Sequence, residues 1–341
     1  MQKIKLPKPD PDFSNILKVL KRENPSRPTL FEFFLNDDLY DLLLQGYVVN
    51  NQDGLGRWRK MMRAYWTAGY DYVTIMASDF SFPSIEHEHL ASISQSSPGL
   101  ITDYDSYEQY QWPDPDDYDY DRLDTLAPEL PEGMRFIAWG PGGVLENVTS
   151  LLGFETLCFM QAEDPDLLQA IFDDVGSRIL RYYQRALEYE AVGAIIANDD
   201  WGFQSQTMLS PRSMRRYVFP WHKKIVSAAH KAGRPVILHS CGNPREIWDD
   251  IIDDIKVDGK LSFEDKIMPV EEVYERYGSR IAIMGGFDLD FICRSTPDQI
   301  RHRVQKMLSQ VGDRGGFAVG TGNSVPYYVP AENYLAMIDI H

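Results

Sequence analysis

From residue 134 to the end, short apolar runs alternate with longer stretches whose apolar positions recur every third or fourth residue. The first pattern suits strands buried on both faces and the second suits amphipathic helices. Strands are predicted at 135–139, 192–197, 234–241, 258–265, 280–288 and 316–323. Helices are predicted between them, at 164–190, 210–233, 243–255, 268–278 and 296–311, with a closing helix at 330–340. Ahead of this region, Trp58, Met61, Met62, Tyr65 and Trp66 stand at helical spacing over 55–69 and lead into a strand at 70–76. Residues 1–50 are helical in pieces, with apolar faces from Phe31, Phe33, Phe34, Leu39, Leu42 and Leu43 and interruptions at Pro25 and Pro28. They are expected to form a helical layer or lid on the same domain.

Seven strands are legible, each ending in polar or glycine residues. Repeated βα units with right-handed crossovers close most naturally into a single-domain α/β (β/α)8 TIM barrel over 51–341, its eighth strand the least visible. The runner-up, a doubly wound open sheet, wants a Gly-x-Gly-x-x-Gly turn that the chain lacks.

Composition narrows the possible partners. Thirty-four basic and fifty-one acidic residues give a net charge of −17, which argues against nucleic acid or an anionic membrane as a partner. No apolar run approaches the ~20 residues that span a bilayer. The three cysteines, Cys158, Cys241 and Cys293, make no disulfide framework, and a cytoplasmic location is expected. Residues 103–132 carry eleven acids against one base, Arg122, interleaved with six tyrosines and tryptophans. That composition predicts an inserted excursion, 98–132, that packs through its aromatics. A solvated loop is the plain alternative.

The candidate chemistry gathers at strand ends. Val236, Ile237 and Leu238 run straight into His239-Ser-Cys241, and strand spacing points His239 and Cys241 to one side. An imidazole and a thiolate converging from one strand suit zinc; a core histidine beside an inert thiol is the alternative. Asp199, Asp200 and Trp201 follow the strand at 192–197, and Glu264 leaves the one at 258–265. These carboxylates could bind substrate, carry a proton or complete a metal site. Asp79 follows the first strand, where a barrel places functional groups, though a capping role would also explain it. His87 and His89 lie in an extended, polar stretch with no third ligand nearby, and the Gly140-Pro-Gly-Gly143 turn lacks the Lys-Ser/Thr of a phosphate loop.

Five segments together resemble the uroporphyrinogen decarboxylase superfamily, which includes cobalamin-linked methyltransferases. They are Asn-Asp-Asp-Trp-Gly at 198–202, His-Ser-Cys-Gly-Asn at 239–243, Ser-Phe-Glu-Asp at 262–265, Met-Gly-Gly-Phe-Asp at 284–288 and Gly-Thr-Gly-Asn-Ser-Val-Pro at 320–326. The resemblance implies a barrel with its site at the strand C-termini. The decarboxylases' arginine-rich N-terminal segment is absent here, where the chain reads Arg27-Pro-Thr-Leu-Phe-Glu-Phe. Asn147 and Asn323 stand where those enzymes place a tyrosine and a histidine, and only Asp79 matches their substrate-binding aspartate. The methyltransferases hold zinc through His-x-Cys and a later cysteine. His239 and Cys241 match the pair, Asn323 stands in place of the later cysteine, and Glu264 or Asp199 is left to supply the third ligand.

The expectation is therefore zinc at His239, Cys241 and Glu264. Asp199, Asp200, Glu264 and Asn323 are the catalytic group, and Asp79, Asn147 and Trp201 meet the substrate. The reaction implied is methyl transfer between a small methylated substrate and a corrinoid. A partner protein would supply that corrinoid, because the chain has no Asp-x-His-x-x-Gly cobalt-ligating motif. A homodimer is compatible with this reading. The alternatives are a decarboxylase of tetrapyrrole synthesis and a catalytically inactive barrel that serves as a binding module.

Overall fold

The apolar runs pair side by side in chain order: β1 Tyr72–Met76, β2 Arg135–Trp139, β3 Val192–Asn198, β4 Val236–His239, β5 Gly259–Leu261, β6 Ala282–Met284 and β7 Phe317–Ala318. The structure is a computed structural model that describes residue 6, residues 8–84 and residues 99–340. His87 and His89 lie outside the described residues. Every neighbouring pair is parallel and the order is strictly sequential, so the sheet curls in the manner of a TIM barrel. A doubly wound sheet would reverse its order at a switch point, and this one does not.

Among the described residues, β7 leads to no eighth strand. An N-terminal segment, Thr29–Phe33, takes the place beside it instead. Phe31 N donates to Val319 O and Val319 N to Thr29 O, each over 2.7 Å. On the other side, β1 reaches the same segment with side-chain hydroxyls: Tyr72 Oη donates to Glu32 O (2.6 Å) and Thr74 Oγ1 to Phe33 O (2.7 Å). The segment thus links both ends of the curled sheet, using backbone pairing on one side and hydroxyl contacts on the other.

The last three strands are shorter than their apolar runs. β5 stops at Leu261 because Ser262 turns into the left-handed region at φ 81°, and β6 stops at Gly285 and Gly286, at φ 72° and 127°. The helix predicted at 210–233 forms over Pro211–Lys231 but widens into a π turn at Met214–Val218. Pro220, which has no N–H and crowds the preceding turn, accounts for that widening.

Within the N-terminal layer, helix Ser14–Leu20 forms a floor, whereas Phe33 and Phe34 lie at the strands' C-terminal ends, against Trp139 and His239. Helix Ser14–Leu20 buries Ile16, Val19 and Leu20. A Cβ on Gly193, near the start of β3, would lie 2.4 Å from the Phe13 ring, and one on Gly259 would lie 2.7 Å from Leu20. The helix therefore packs under the strands' N-terminal ends, leaving their C-terminal ends for chemistry.

The acidic excursion is folded. Tyr120, Leu123 and Leu126 are buried, and its outer side lies along helix Pro165–Ala186. Tyr107 donates to Asp174 (2.6 Å), Arg178 to Pro113 O (3.0 Å) and Arg181 to Asp116 (2.8 Å). No helix of the described residues is long and apolar enough to cross a membrane.

Candidate functional site

Parallel register sets Asn198 of β3 beside His239 of β4, so both strands deliver their next residues to the same end. Asp199 N donates to His239 O (2.9 Å), and Cys241 N donates to Asp200 Oδ1 (3.0 Å). These two hydrogen bonds hold the Asp200 carboxylate over the turn after β4. His239 Nε2 then lies 4.0 Å from Asp200 Oδ1 and 3.8 Å from Cys241 Sγ. One donor atom from each of the three residues falls within 4.8 Å of the others, the one such group among the described residues.

The donor set is mixed: nitrogen, sulfur and oxygen. Burial pushes His239 down to about 4, leaving a neutral imidazole with a free lone pair at neutral pH. Burial, reinforced by Asp200, pushes the Cys241 thiol up to about 12. Two donors point at its sulfur, Asn323 Nδ2 at 3.4 Å and Ser262 Oγ at 3.5 Å. Neutral imidazole, thiolate and carboxylate are the ligand types zinc takes, and three protein ligands leave a tetrahedral site one open position. The residues present therefore fit that metal.

Around the three donors the wall is aromatic. The Phe33 ring lies 5.0 Å from the His239 ring and 5.4 Å from Trp139. Phe34 lies 6.4 Å from Trp139 on the outer side.

Several residues expected at the site have other duties. Asp199 is fully buried and its carboxylate is saturated: it accepts from Leu145 N (3.1 Å), Glu146 N (3.0 Å) and His222 Nε2 (2.9 Å). It pins the start of helix Val144–Leu152 to the end of β3, which corrects its assignment to substrate orientation. Trp201 is buried against Phe219 and the His222 ring, so it meets no substrate. Asn147 ties back to Gly143 O (2.7 Å) and braces the glycine turn. Asp79, 81% exposed, pairs with Arg122 of the excursion at 2.6 Å. Glu264 lies outside the three-donor group and lines a small cavity with Arg245, Trp248 and Phe263. Asp200, rather than Glu264, is the third donor of the group.

Three polar residues escaped that reading. Glu146 accepts from Gly143 N (2.7 Å), and burial beside Asp199 and Asp200 pushes its carboxyl up to about 8. Its sequence signal was the position three residues after the glycine turn, that of a capping box. Lys260 is buried and donates to Ser240 O (3.1 Å), Leu261 O (3.2 Å) and Ser262 O (2.8 Å), clamping the ends of β4 and β5; burial pushes it down to about 8. A lysine inside an apolar strand was its only sign. His222 had none, because its partner Asp199 is on a different element.

Known proteins resemble this chain in sequence and in fold. The family model described as Uroporphyrinogen decarboxylase (URO-D) matches residues 94–341. Uroporphyrinogen decarboxylase of Neisseria meningitidis serogroup C is 26% identical over 190 residues, which are 54% of this chain and 51% of that protein. The enzyme of Shewanella piezotolerans is 24% identical over 247 residues, 69% of this chain and 67% of its own length. The match thus spans about half the length of the Neisseria relative. Among solved structures, a methyltransferase from Methanosarcina mazei superposes with a TM-score of 0.68 at 16% identity, covering 95% of this chain and 96% of that one. At that identity the likeness concerns the fold. With a family model that runs through β2–β7 and every donor at the strand ends, the chain belongs to the uroporphyrinogen decarboxylase family.

Proposed function

We propose that the protein is a zinc-dependent methyltransferase that moves a methyl group between a small methylated substrate and the corrinoid of a separate partner protein. The observation that carries this reading is the convergence of Asp200, His239 and Cys241 at the strand C-termini. His239 Nε2, Cys241 Sγ and an Asp200 oxygen would hold the metal, which when bound supplies Lewis acidity toward a substrate oxygen or sulfur. The chain's own residues prepare that position. Asn323 and Ser262 donate to the sulfur and favour its thiolate form. Glu146, protonated near neutrality, stores a proton beside Asp200. Phe33, Phe34 and Trp139 keep water from one side.

Decarboxylation of a porphyrinogen is the second reading, favoured by the relatives' names. Two observations weigh against it: Arg27 is tied to the buried Asp71, and Asp79 is paired with Arg122. Neither Arg27 nor Arg122 is thereby left free to grip a substrate carboxylate.

The test begins with metal analysis of protein purified without chelator, with His239→Ala as control. The protein is then incubated with methylated ethers or amines, a Co(I) corrinoid protein and zinc, and in parallel with uroporphyrinogen. Zinc at one per chain and methylation of cobalt are expected. Loss of carboxylates from the tetrapyrrole without cobalt methylation would establish the second reading, and no turnover in either assay would favour the inactive binding module.

A further inference from the structure

Glu32 lies in the segment between β7 and β1, fully buried, with no cationic partner among the described residues. Its Oε1 accepts from Thr321 N (2.7 Å) and its Oε2 lies 2.7 Å from Thr321 Oγ1. The same hydroxyl lies 2.5 Å from the backbone oxygen of Asn323. A threonine hydroxyl has one proton, and a carbonyl oxygen has none to give. The assignment that satisfies both short contacts sends the Thr321 proton to Asn323 O and requires Glu32 Oε2 to carry a proton of its own. Burial without a counter-charge acts in the same direction, pushing Glu32 up to about 8.

The loop so held is the one that brings Asn323 Nδ2 to the Cys241 sulfur at 3.4 Å. Gly320, at its start, has no room for a side chain, because a Cβ there would overlap Phe31 O and lie 3.3 Å from Glu32 Oε1. Glu32 is itself fixed through its backbone, whose N–H donates to Tyr72 Oη (2.6 Å).

We propose that Glu32 is a neutral carboxylic acid in the working protein and acts as a positioning residue: by donating to Thr321 it sets the loop after β7 and keeps the Asn323 amide on the Cys241 sulfur. The consequence for zinc rests on the reading of Cys241 as a ligand, whereas the protonation of Glu32 does not.

Glu32→Gln separates the possibilities, because an amide reproduces the acid's geometry: its oxygen accepts from Thr321 N and its NH2 donates to Thr321 Oγ1. Infrared difference spectra of wild type minus E32Q should show the carbonyl band of a protonated carboxylic acid at neutral pH, fading as pH rises through about 8. A folded-state value above the ordinary 4.5 means stability is complete below 4.5 and declines up to about 8. The Tm of wild type relative to E32Q should therefore fall across that window and level off above it. The titratable groups facing Glu32 are the phenols of Tyr65 on helix Gly56–Ala68, of Tyr70 and Tyr72 at β1, and of Tyr334 on the closing helix, all held well above their ordinary value by burial. They stay protonated through the window.

Zinc affinity, measured by competition with a chromophoric chelator, should stay within about twofold in E32Q and weaken at least ~10-fold in E32L, the order expected when an outer partner of a metal ligand is lost. Absence of the infrared band, parallel pH profiles, or equal zinc affinity in E32L and wild type would overturn the proposal. If E32L does not fold, the spectrum and E32Q still decide it. If wild type binds no zinc, the band and the pH profile still judge Glu32, and it is the functional reading that fails.

Discussion

Asp199 and Asp200 are adjacent in sequence and opposite in duty. One carboxylate is consumed by two backbone N–H groups and a histidine, while the other faces His239 and Cys241. Asp200→Asn should accordingly weaken zinc binding by at least ~10–100-fold, since loss even of outer partners of metal ligands costs that much. Glu264→Gln should leave the affinity unchanged, and chelator competition measures both. With the Cys241 thiol near 12 and His239 near 4, metal binding releases the Cys241 proton across the neutral range. The apparent zinc affinity should therefore rise about tenfold per pH unit above pH 5, a slope absent in Cys241→Ser. His239 and Cys241 were legible because an apolar strand ran into them and strand alternation put them on one side. Glu264 was misplaced because alternation stops at Ser262, whose left-handed φ of 81° re-aims the residues beyond it.

Among the elements, helix Val144–Leu152 depends most directly on a distant side chain. Asp199 supplies the acceptor for its first turn and is buried against His222, with side-chain exposures of 0% and 2%. Asp199→Ala strips the cap and leaves His222 unpaired, so urea unfolding should show a loss of about 3–5 kcal/mol, as for other broken buried pairs. Most strands and long helices of 134–341 were readable from periodicity because each is buried on a regular face; the helix expected at 243–255 winds only as a π turn over Asp250–Ile255, and helices Phe154–Glu163 and Leu289–Arg294 were not readable. The floor was not: Phe13 and Leu20 look like any amphipathic stretch until Gly193 and Gly259 are seen to leave room for them. The π turn ahead of Pro220 was likewise hidden, since a proline marks a disturbance without saying how the turn absorbs it.

For the molecule as a whole, the net charge of −17 is unevenly spread, and within the acidic excursion Asp116 is paired with Arg181 and Arg185 of helix Pro165–Ala186. Tyr120, Leu123 and Leu126 of the excursion belong to the same buried cluster as the strands, and Tyr107, Tyr110, Trp112 and Tyr118 pack against it. Leu123→Ala should therefore destabilise the entire protein by about 2–5 kcal/mol in one cooperative transition, measured by denaturant unfolding with tryptophan fluorescence. Separate melting of the excursion would contradict this. The link across β1 and β7 also constrains how the chain assembles. Glu32 meets Thr321 across a separation of 289 residues, so the piece that joins the sheet's two ends leaves the ribosome long before the strand it must pair with. Until then the nascent sheet has no partner for its last edge, and the floor helix has only part of its ceiling. Such a long-range contact comes late, after the loop-closure entropy of everything between has been overcome. In pulse-labelled refolding, the amides of Phe31 and Val319 should gain protection from exchange together, and after those of β2 and β3.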